Sequence, residues 1–249
     1  MIIKALEFYK NGEMKESFAM GGSMSKDEIN EEKIYPASLQ NYLIDTGNEV
    51  ILVDTGLPIE TPDFKKEPNQ KIYTGEKIAN FTEALNNVGY KVEDIDIVIL
   101  THKHPDHSGE LRLFTNAKIF VSKIEADAMK LDGDNIIKVS FKGGKYKNFE
   151  SSERILENII MLPAYGHTKG NSIVIVEEKN ISYMIHGDVT YTDEALKRNH
   201  LSVVFEDKES AKSTLEVVRR FIKENDTVYL STHTPEGVES LRNNTIMKL

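Results

Sequence analysis

Met1 to Lys10, MIIKALEFYK, alternates polar and apolar positions and predicts a strand. Leu39 to Gly56, LQNYLIDTGNEVILVDTG, is two apolar runs around Asp45-Thr46-Gly47-Asn48, a hairpin signal. Residues 57–75 hold three of the seven prolines among Asn, Gln, Thr and Gly, and predict a loop. Ile78, Phe81, Leu85 and Val88 then recur at helical spacing, with Gly89 placed to end the helix. Ile95 to Leu100 (IDIVIL) and Ala117 to Ser122 (AKIFVS) predict strands, and Glu125 to Leu131 a short helix. Four more short strands are expected at Ile136–Phe141, Ile159–Leu162, Ser172–Val176 and Ile181–Ile185. Ala211, Leu215, Val218 and Ile222 mark a long amphipathic helix, and Thr227–Ser231 a last strand. Hairpins and βαβ-like passages occur in both halves with no linker between them. One α/β domain over residues 1–249 is expected, with sheets packed together and helices outside.

The histidines follow this pattern. His102, His104 and His107 come after the strand IDIVIL, in THKHPDHSG. His167 follows IIMLPAYG, His186 ends ISYMI, and His233 follows TVYLS. Only His200, in KRNHLS, lies away from a strand end, and it reads as a solvated loop residue. Strand ends are held by their sheet while the loops beyond reach a cleft, so several ends can aim imidazoles at one point. In His102-x-His104 both side chains leave an extended backbone on the same side and can bind one ion. Asp106 and His107 follow Pro105, whose fixed φ turns the chain so that they can face a second ion. Asp188 is a carboxylate that could bridge two ions. Buried imidazoles and carboxylates each need a partner, so a cluster of this kind is costly unless it binds something. His186 is expected to be buried and hydrogen-bonded rather than a ligand. Phe18, Met20 and Met24 are expected in core packing.

Composition narrows the chemistry. The chain has no cysteine, which removes disulfides, thiolate zinc sites and thiol nucleophiles, so a metal site must be built from imidazole and carboxylate. The formal net charge of −9 disfavours a nucleic-acid partner and suits a protein holding divalent cations. No run of about 18 apolar residues is present and no signal peptide is seen, so no membrane span and a cytoplasmic location are expected.

His102-x-His104-x-Asp106-His107, followed in order by His167, Asp188 and His233, resembles the metallo-β-lactamase superfamily. The resemblance implies an αββα sandwich: two mixed β-sheets face to face with helices outside, and a dinuclear centre at one edge. It implies that His102, His104 and His167 bind one ion, that Asp106, His107 and His233 bind the other, and that Asp188 bridges them. It further implies that Asp54, in ILVDTG, orients a ligand from behind. Zinc is the first candidate for both ions, and manganese, iron and cobalt accept the same ligands. Within the superfamily the chain resembles most the N-acyl homoserine lactone lactonases. Asp188-Val189-Thr190-Tyr191 reproduces their spacing from the bridging aspartate to a tyrosine that acts on the substrate carbonyl, and GELRLFTNAKIFVSKIEADAM resembles the segment after their metal motif. The loop GHTKGNS departs from them, with Asn171 where a second histidine is common.

The expected reaction is attack of a metal-activated hydroxide on a carbonyl, with Tyr191 stabilising the developing oxyanion and Asp106 or Asp188 passing a proton to the leaving alkoxide. The expected substrate is a small ester or lactone, and the protein a monomer or homodimer. A thioesterase of the glyoxalase II sort or a phosphodiesterase would use the same centre. A metal-binding protein without catalysis is the alternative from another class.

Overall fold

The computed structural model describes residues 1–249. One sheet takes the order Ile72–Tyr73, Ile2–Lys15, Ile34–Asp45, Val50–Val53, Ile97–Leu100, Lys118–Ser122, Ile136–Val139, with Glu76–Lys77 also paired to the first long strand. Its N-terminal part is antiparallel, and from Val50–Val53 onward its neighbours are parallel. The second sheet runs Thr227–Leu230, Ile181–Ile185, Ser172–Glu178, Ile159–Pro163, Glu153–Leu156, antiparallel except for the pairing of its first two.

The layers can be read from the side-chain period of two along each strand. Tyr42, Ile44, Ile51, Val53, Ile97 and Ile99 share one buried cluster with Met161, Val174, Val176, Ile185, Val228 and Leu230, the inner faces of the two sheets. Leu43, Leu52, Val98 and Leu100 point the other way, onto Phe81, Ala84 and Leu85 of the helix Phe81–Asn87. Ile160, Leu162, Ile175, Met184 and Tyr229 point outward from the second sheet onto Leu215, Val218, Phe221 and Ile222 of the helix Lys208–Glu224. The expected αββα sandwich is therefore present, each strand apolar on both faces because both are covered.

Differences from the sequence reading are local. Ile78 is 49% exposed and its N–H donates to Phe8 O, so it belongs to an extended segment. The helix begins at Phe81 because Asn80 and Glu83 close a capping box. Ser122 accepts from Glu125 N–H, which starts the next helix at Lys123, and the helix ends at Met129, before Lys130 in the left-handed region. The strands Ile72–Tyr73 and Glu153–Leu156 and the helices Asp193–Arg198 and Glu236–Asn243 were not expected, being short and weakly periodic.

Two features bring the sandwich to bear on one edge. Val50–Val53, Ile97–Leu100, Ile159–Pro163, Ile181–Ile185 and Thr227–Leu230 all point their C-terminal ends the same way. At that edge the sheets are tied together. Ser172 N–H donates to Thr101 O, Ser38 N–H to His233 O, and Gln40 Nε2 to the carbonyls of Ser231 and Thr234. Over the same edge lies the segment after the first strand, anchored by buried Glu16. Burial works against its charge, but Asn30 N–H, Lys33, Tyr35 and Arg198 all reach the carboxylate and hold its pKa down to about 2. Glu16→Gln should lower unfolding free energy by about 1–3 kcal/mol in urea titrations at neutral pH, because the cationic partners lose their counter-charge. An unchanged midpoint would mean that the anchor adds nothing.

Candidate metal centre

Thr101 follows the strand Ile97–Leu100 and is held by an aspartate from the neighbouring strand's end. Asp54 sits at φ 66°, and its two oxygens accept from Thr101 N–H (2.8 Å) and Thr101 Oγ1 (2.8 Å). His107 Nδ1 also lies 2.7 Å from Asp54 Oδ2 and donates to it. His102 Nδ1, 3.1 Å from Thr101 Oγ1, donates to a hydroxyl that already donates to Asp54. His167 Nδ1 donates to Val204 O at 3.1 Å. With a proton on each of these Nδ1 atoms, the Nε2 atoms of His102 and His167 carry lone pairs directed into one space, and Nε2 of His107 faces Asp188 Oδ2 at 3.3 Å.

Two groups of donors result. His102 Nε2, His104 Nδ1 and His167 Nε2 lie 3.1, 3.2 and 2.9 Å from one another. Asp106, His107, Asp188 and His233 form the second. Asp188 Oδ2 stands between them, 2.8 Å from His233 Nε2, 3.3 Å from His107 Nε2, 3.6 Å from His167 Nε2 and 4.0 Å from His102 Nε2. Asp106 Oδ2 lies 3.4 Å from His233 Nε2 and 3.8 Å from His107 Nε2. All the residues the sequence singled out as ligands are thus brought together, with Asp54 directly behind them.

The donor set fits divalent cations. Three nitrogens about 3 Å apart cannot satisfy one another with lone pairs, whereas ligands of a tetrahedral zinc stand ~3.3 Å apart. His107 Nε2 and Asp188 Oδ1 are buried without a hydrogen-bond partner. The electrostatics ask for positive charge. Burial disfavours a charged His107, yet Asp188, Asp54 and Asp106 hold its pKa well above the usual value. Burial likewise opposes the charge on Asp188, but His233 and His107 keep it well below the usual carboxylate range. His102 and His167 go the other way. Burial and the neighbouring imidazoles lower His102 well below its usual value, and burial lowers His167 to about 4 despite Asp188. Both are neutral imidazoles at pH 7. Two His/Asp clusters consistent with a dinuclear site are therefore present.

Around the centre, Tyr191 is buried, with its ring 4.7 Å from that of His233, 6.1 Å from His167 and 5.3 Å from Phe18. Burial, with the charges of Asp188 and Asp106, raises its pKa well above the ordinary tyrosine value. Met20 and Met24 are buried in the cluster that holds Tyr191, the core role expected of them, and half-buried Phe18 packs on it. His186 departs from expectation. It is buried, but neither ring nitrogen finds a hydrogen bond, and its ring lies flat on Tyr229 at 4.1 Å, so burial keeps it neutral with a pKa of about 3. His200 is half-buried, its Nδ1 3.2 Å from Ser23 Oγ. Thr101, Glu125 and Asn41, whose Oδ1 accepts from Gly56 N–H, support these loops and were not picked out from the sequence. All three lie in runs that carried a signal, THKHPDHSG, GELRLFTNAKIFVSKIEADAM and LQNYLIDTGNEVILVDTG, but none of those signals named these residues.

The fold and the two donor clusters define a metallohydrolase of known type. The model of the metallo-β-lactamase superfamily matches residues 40–233, and the chain belongs to that superfamily. It is 27% identical over 202 residues to an N-acyl homoserine lactonase of a Bacillus species, covering 78% of this chain and 80% of that protein. The Bacillus thuringiensis N-acyl homoserine lactonase is 27% identical over 208 residues, covering 81% and 83%. The fold superposes on the crystal structure of a quorum-quenching N-acyl homoserine lactone hydrolase with a TM-score of 0.72 at 21% identity, over 96% of this chain and 94% of that one. AidC, a dizinc quorum-quenching lactonase, superposes with a TM-score of 0.67 at 17% identity, over 94% and 90%. No helix is long and apolar enough to cross a membrane.

Two outcomes are expected. Elemental analysis of protein purified without chelators should find close to two transition-metal ions per chain, and chelation should lower the melting temperature by several degrees with the far-UV signal kept. No metal uptake on titration would contradict this. The second concerns Asp193, just beyond Tyr191. Burial, and then the charge of Glu236, push its pKa up to about 7, and neither Asp193 Oδ1 nor Glu236 Oε2 has a hydrogen-bond partner. Unfolded, Asp193 ionises near 4. Its stabilising contribution is complete below that value and is lost as pH rises to about 7. Asp193→Asn should therefore melt higher than wild type at pH 8, with the gap closing toward pH 4. An equal gap at both would refute the shift.

Proposed function

We propose that the protein is a dinuclear metal-dependent hydrolase that opens a lactone or related ester, of the N-acyl homoserine lactonase type. The observation that carries this reading is Asp188 Oδ2 within 4.0 Å of donors from both histidine groups, with the Tyr191 ring 4.7 Å from that of His233. The relatives named N-acyl homoserine lactonase, and the dizinc lactonase of the same fold, support the substrate class. In this reading His102, His104 and His167 hold one ion, Asp106, His107 and His233 the other, and Asp188 reaches both. Bound there, two such ions make a nucleophilic water available near neutral pH and polarise a carbonyl.

The chain's own side chains divide the remaining work. Tyr191 stays protonated at neutral pH, since its pKa is raised, and donates to the carbonyl oxygen as charge develops on it. Asp188 is buried and held as carboxylate by His233 and His107, which suits a fixed ligand and not a proton carrier. Asp106 keeps 26% of its side chain open. It takes the proton released by the attacking water and returns it to the leaving alkoxide. Asp54, by accepting from His107 directly and from His102 through Thr101, fixes which nitrogen of each ring faces inward.

The test is a hydrolysis panel of an N-acyl homoserine lactone, a matched linear thioester and a phosphodiester on one zinc-loaded sample, with wild type and Tyr191→Phe. Wild type should favour the lactone. Tyr191→Phe should keep its metal and fold but lose roughly 10²-fold in kcat on the lactone, with less loss on the phosphodiester. Good thioester or phosphodiester turnover with hardly any on the lactone would replace the substrate class and leave the metallohydrolase intact. A Tyr191→Phe variant as fast as wild type would reduce Tyr191 to packing.

A further inference from the structure

One buried acid stands behind the three-histidine group and takes no part in the steps above. Glu125 lies in the first turn of the helix Lys123–Met129 and is 0% exposed. Its carboxylate is split between two loops. Oε2 accepts from Lys103 N–H at 2.9 Å, and Oε1 accepts from Gly170 N–H at 2.8 Å. Lys103 is the residue between His102 and His104, and Gly170 is three residues beyond His167.

The approach is close by construction. A Cβ at Gly170 would stand 2.5 Å from Ser122 Oγ and 2.8 Å from Glu125 Cγ, so any larger residue would push the His167 loop away. Ser122 in turn accepts from Glu125 N–H at 3.2 Å and fixes the turn that presents the carboxylate. No cation makes a hydrogen bond or ion pair with Glu125, and burying an unpaired carboxylate is costly. Its two backbone bonds are charge-assisted, the stronger kind, and they join two loops that are otherwise tied by Ser172 N–H to Thr101 O at their base, by their histidines and by the rim. On that rim a second acid, Glu206, joins the same loops by accepting from Lys103 Nζ (2.6 Å) and Lys169 N–H (2.8 Å), but it is exposed.

We infer that Glu125 is a positioning residue that sets the spacing of His102 and His104 against His167, and so the affinity of the ion those three would hold. The inference rests on the metal reading proposed above. Glutamine at 125 keeps the shape but turns an amide donor toward one of the two N–H groups. Outer partners of metal ligands typically change affinity by ~10–100-fold.

The experiment is titration of metal-free wild type, Glu125→Gln, Gly170→Ala and Glu206→Gln with Zn²⁺ against a competing chelator, with amide spectra to confirm the fold. Wild type should take up two ions. Glu125→Gln should weaken one of them by ~10–100-fold and leave the other near its wild-type affinity. Gly170→Ala should weaken the same ion, and Glu206→Gln should change neither. Glu125→Gln that keeps both affinities, or weakens both alike, overturns the inference while the metal reading stands. Wild type that takes up no zinc overturns both. Should Glu125→Gln fail to fold, amide exchange in metal-free wild type decides. Lys103 and Gly170 amides protected as well as those of the strand Ile97–Leu100 support the clamp, and exchange as fast as exposed loop amides overturns it.

Discussion

Asp188 imposes the constraint to which the rest of this edge answers. It is a carboxylate buried at the end of a core strand, with one oxygen shared among imidazoles from three other loops. A charge in that position is tolerable only if positive charge is brought to it. In the chain alone that charge falls on His107, which three carboxylates hold protonated, while His102 and His167 are kept neutral by burial. A proton on one ring cannot satisfy the lone pairs of the others. Divalent ions would meet both needs, and this is the physical reason for crowding so many titratable groups at one sheet edge.

The geometry of that crowding depends on acids one layer further out. Asp54 fixes His107 directly and His102 by way of Thr101. Glu125 ties the loop of His102 and His104 to that of His167. Glu16 fastens the segment that places Phe18 on Tyr191. At Asp54 and Glu125 much of the satisfaction comes from backbone N–H groups. A backbone donor is held by the fold itself, so each such bond carries the rigidity of a strand or helix into the centre. A surface ion pair such as Lys103–Glu206 cannot do this, since its long side chains retain their freedom.

How much of this could be read from the sequence follows from the kind of signal each part leaves. The histidine and aspartate cluster was legible because histidines are few and six of them stand at the ends of apolar runs. The layering was legible because strand and helix periods differ, and the family resemblance supplied the order of ligands. Ile78 misled because an apolar residue at helical spacing looks the same in an extended segment, and only the Asn80–Glu83 capping box shows where the helix starts. The helices Asp193–Arg198 and Glu236–Asn243 bury too few positions to show a period. His186 was placed correctly in the interior, but its stacking on Tyr229 in place of hydrogen bonds depends on a residue forty-three positions away. Glu125 was invisible for the same reason. In sequence it is an acid in the first turn of a helix, where acids commonly serve the helix dipole. Its partners are backbone atoms, and no residue type at 103 or 170 announces them, except that only glycine fits at 170.

The same distinction bears on where substrate preference would arise. The clustered imidazoles and carboxylates are fixed by strands of both sheets, and the backbone bonds across the edge leave them little freedom. Tyr191 belongs to a different environment. It sits in an apolar cluster with Met14, Ala19, Met20, Met24 and Ala195, and Phe18, Ile29 and Val204 pack on that cluster. Most of these come from residues 14–29, a segment with one short helical turn, Glu16–Ala19. Methionines fill space without imposing a shape. The segment is joined to the residues beyond the helix Asp193–Arg198 by Gly22 N–H to Leu201 O and Val203 N–H to Phe18 O. A Cβ at Gly22 would meet Ser202 O at 1.8 Å, so the contact cannot be repacked by enlarging that residue. The reactive centre is thus set by the sheets, whereas the wall beside its one phenol is set by an N-terminal segment anchored at Glu16. Changes of shape there alter what lies against Tyr191 without moving any of the clustered imidazoles and carboxylates, and under the proposed function that separation would let one centre serve different acyl or alkoxy groups.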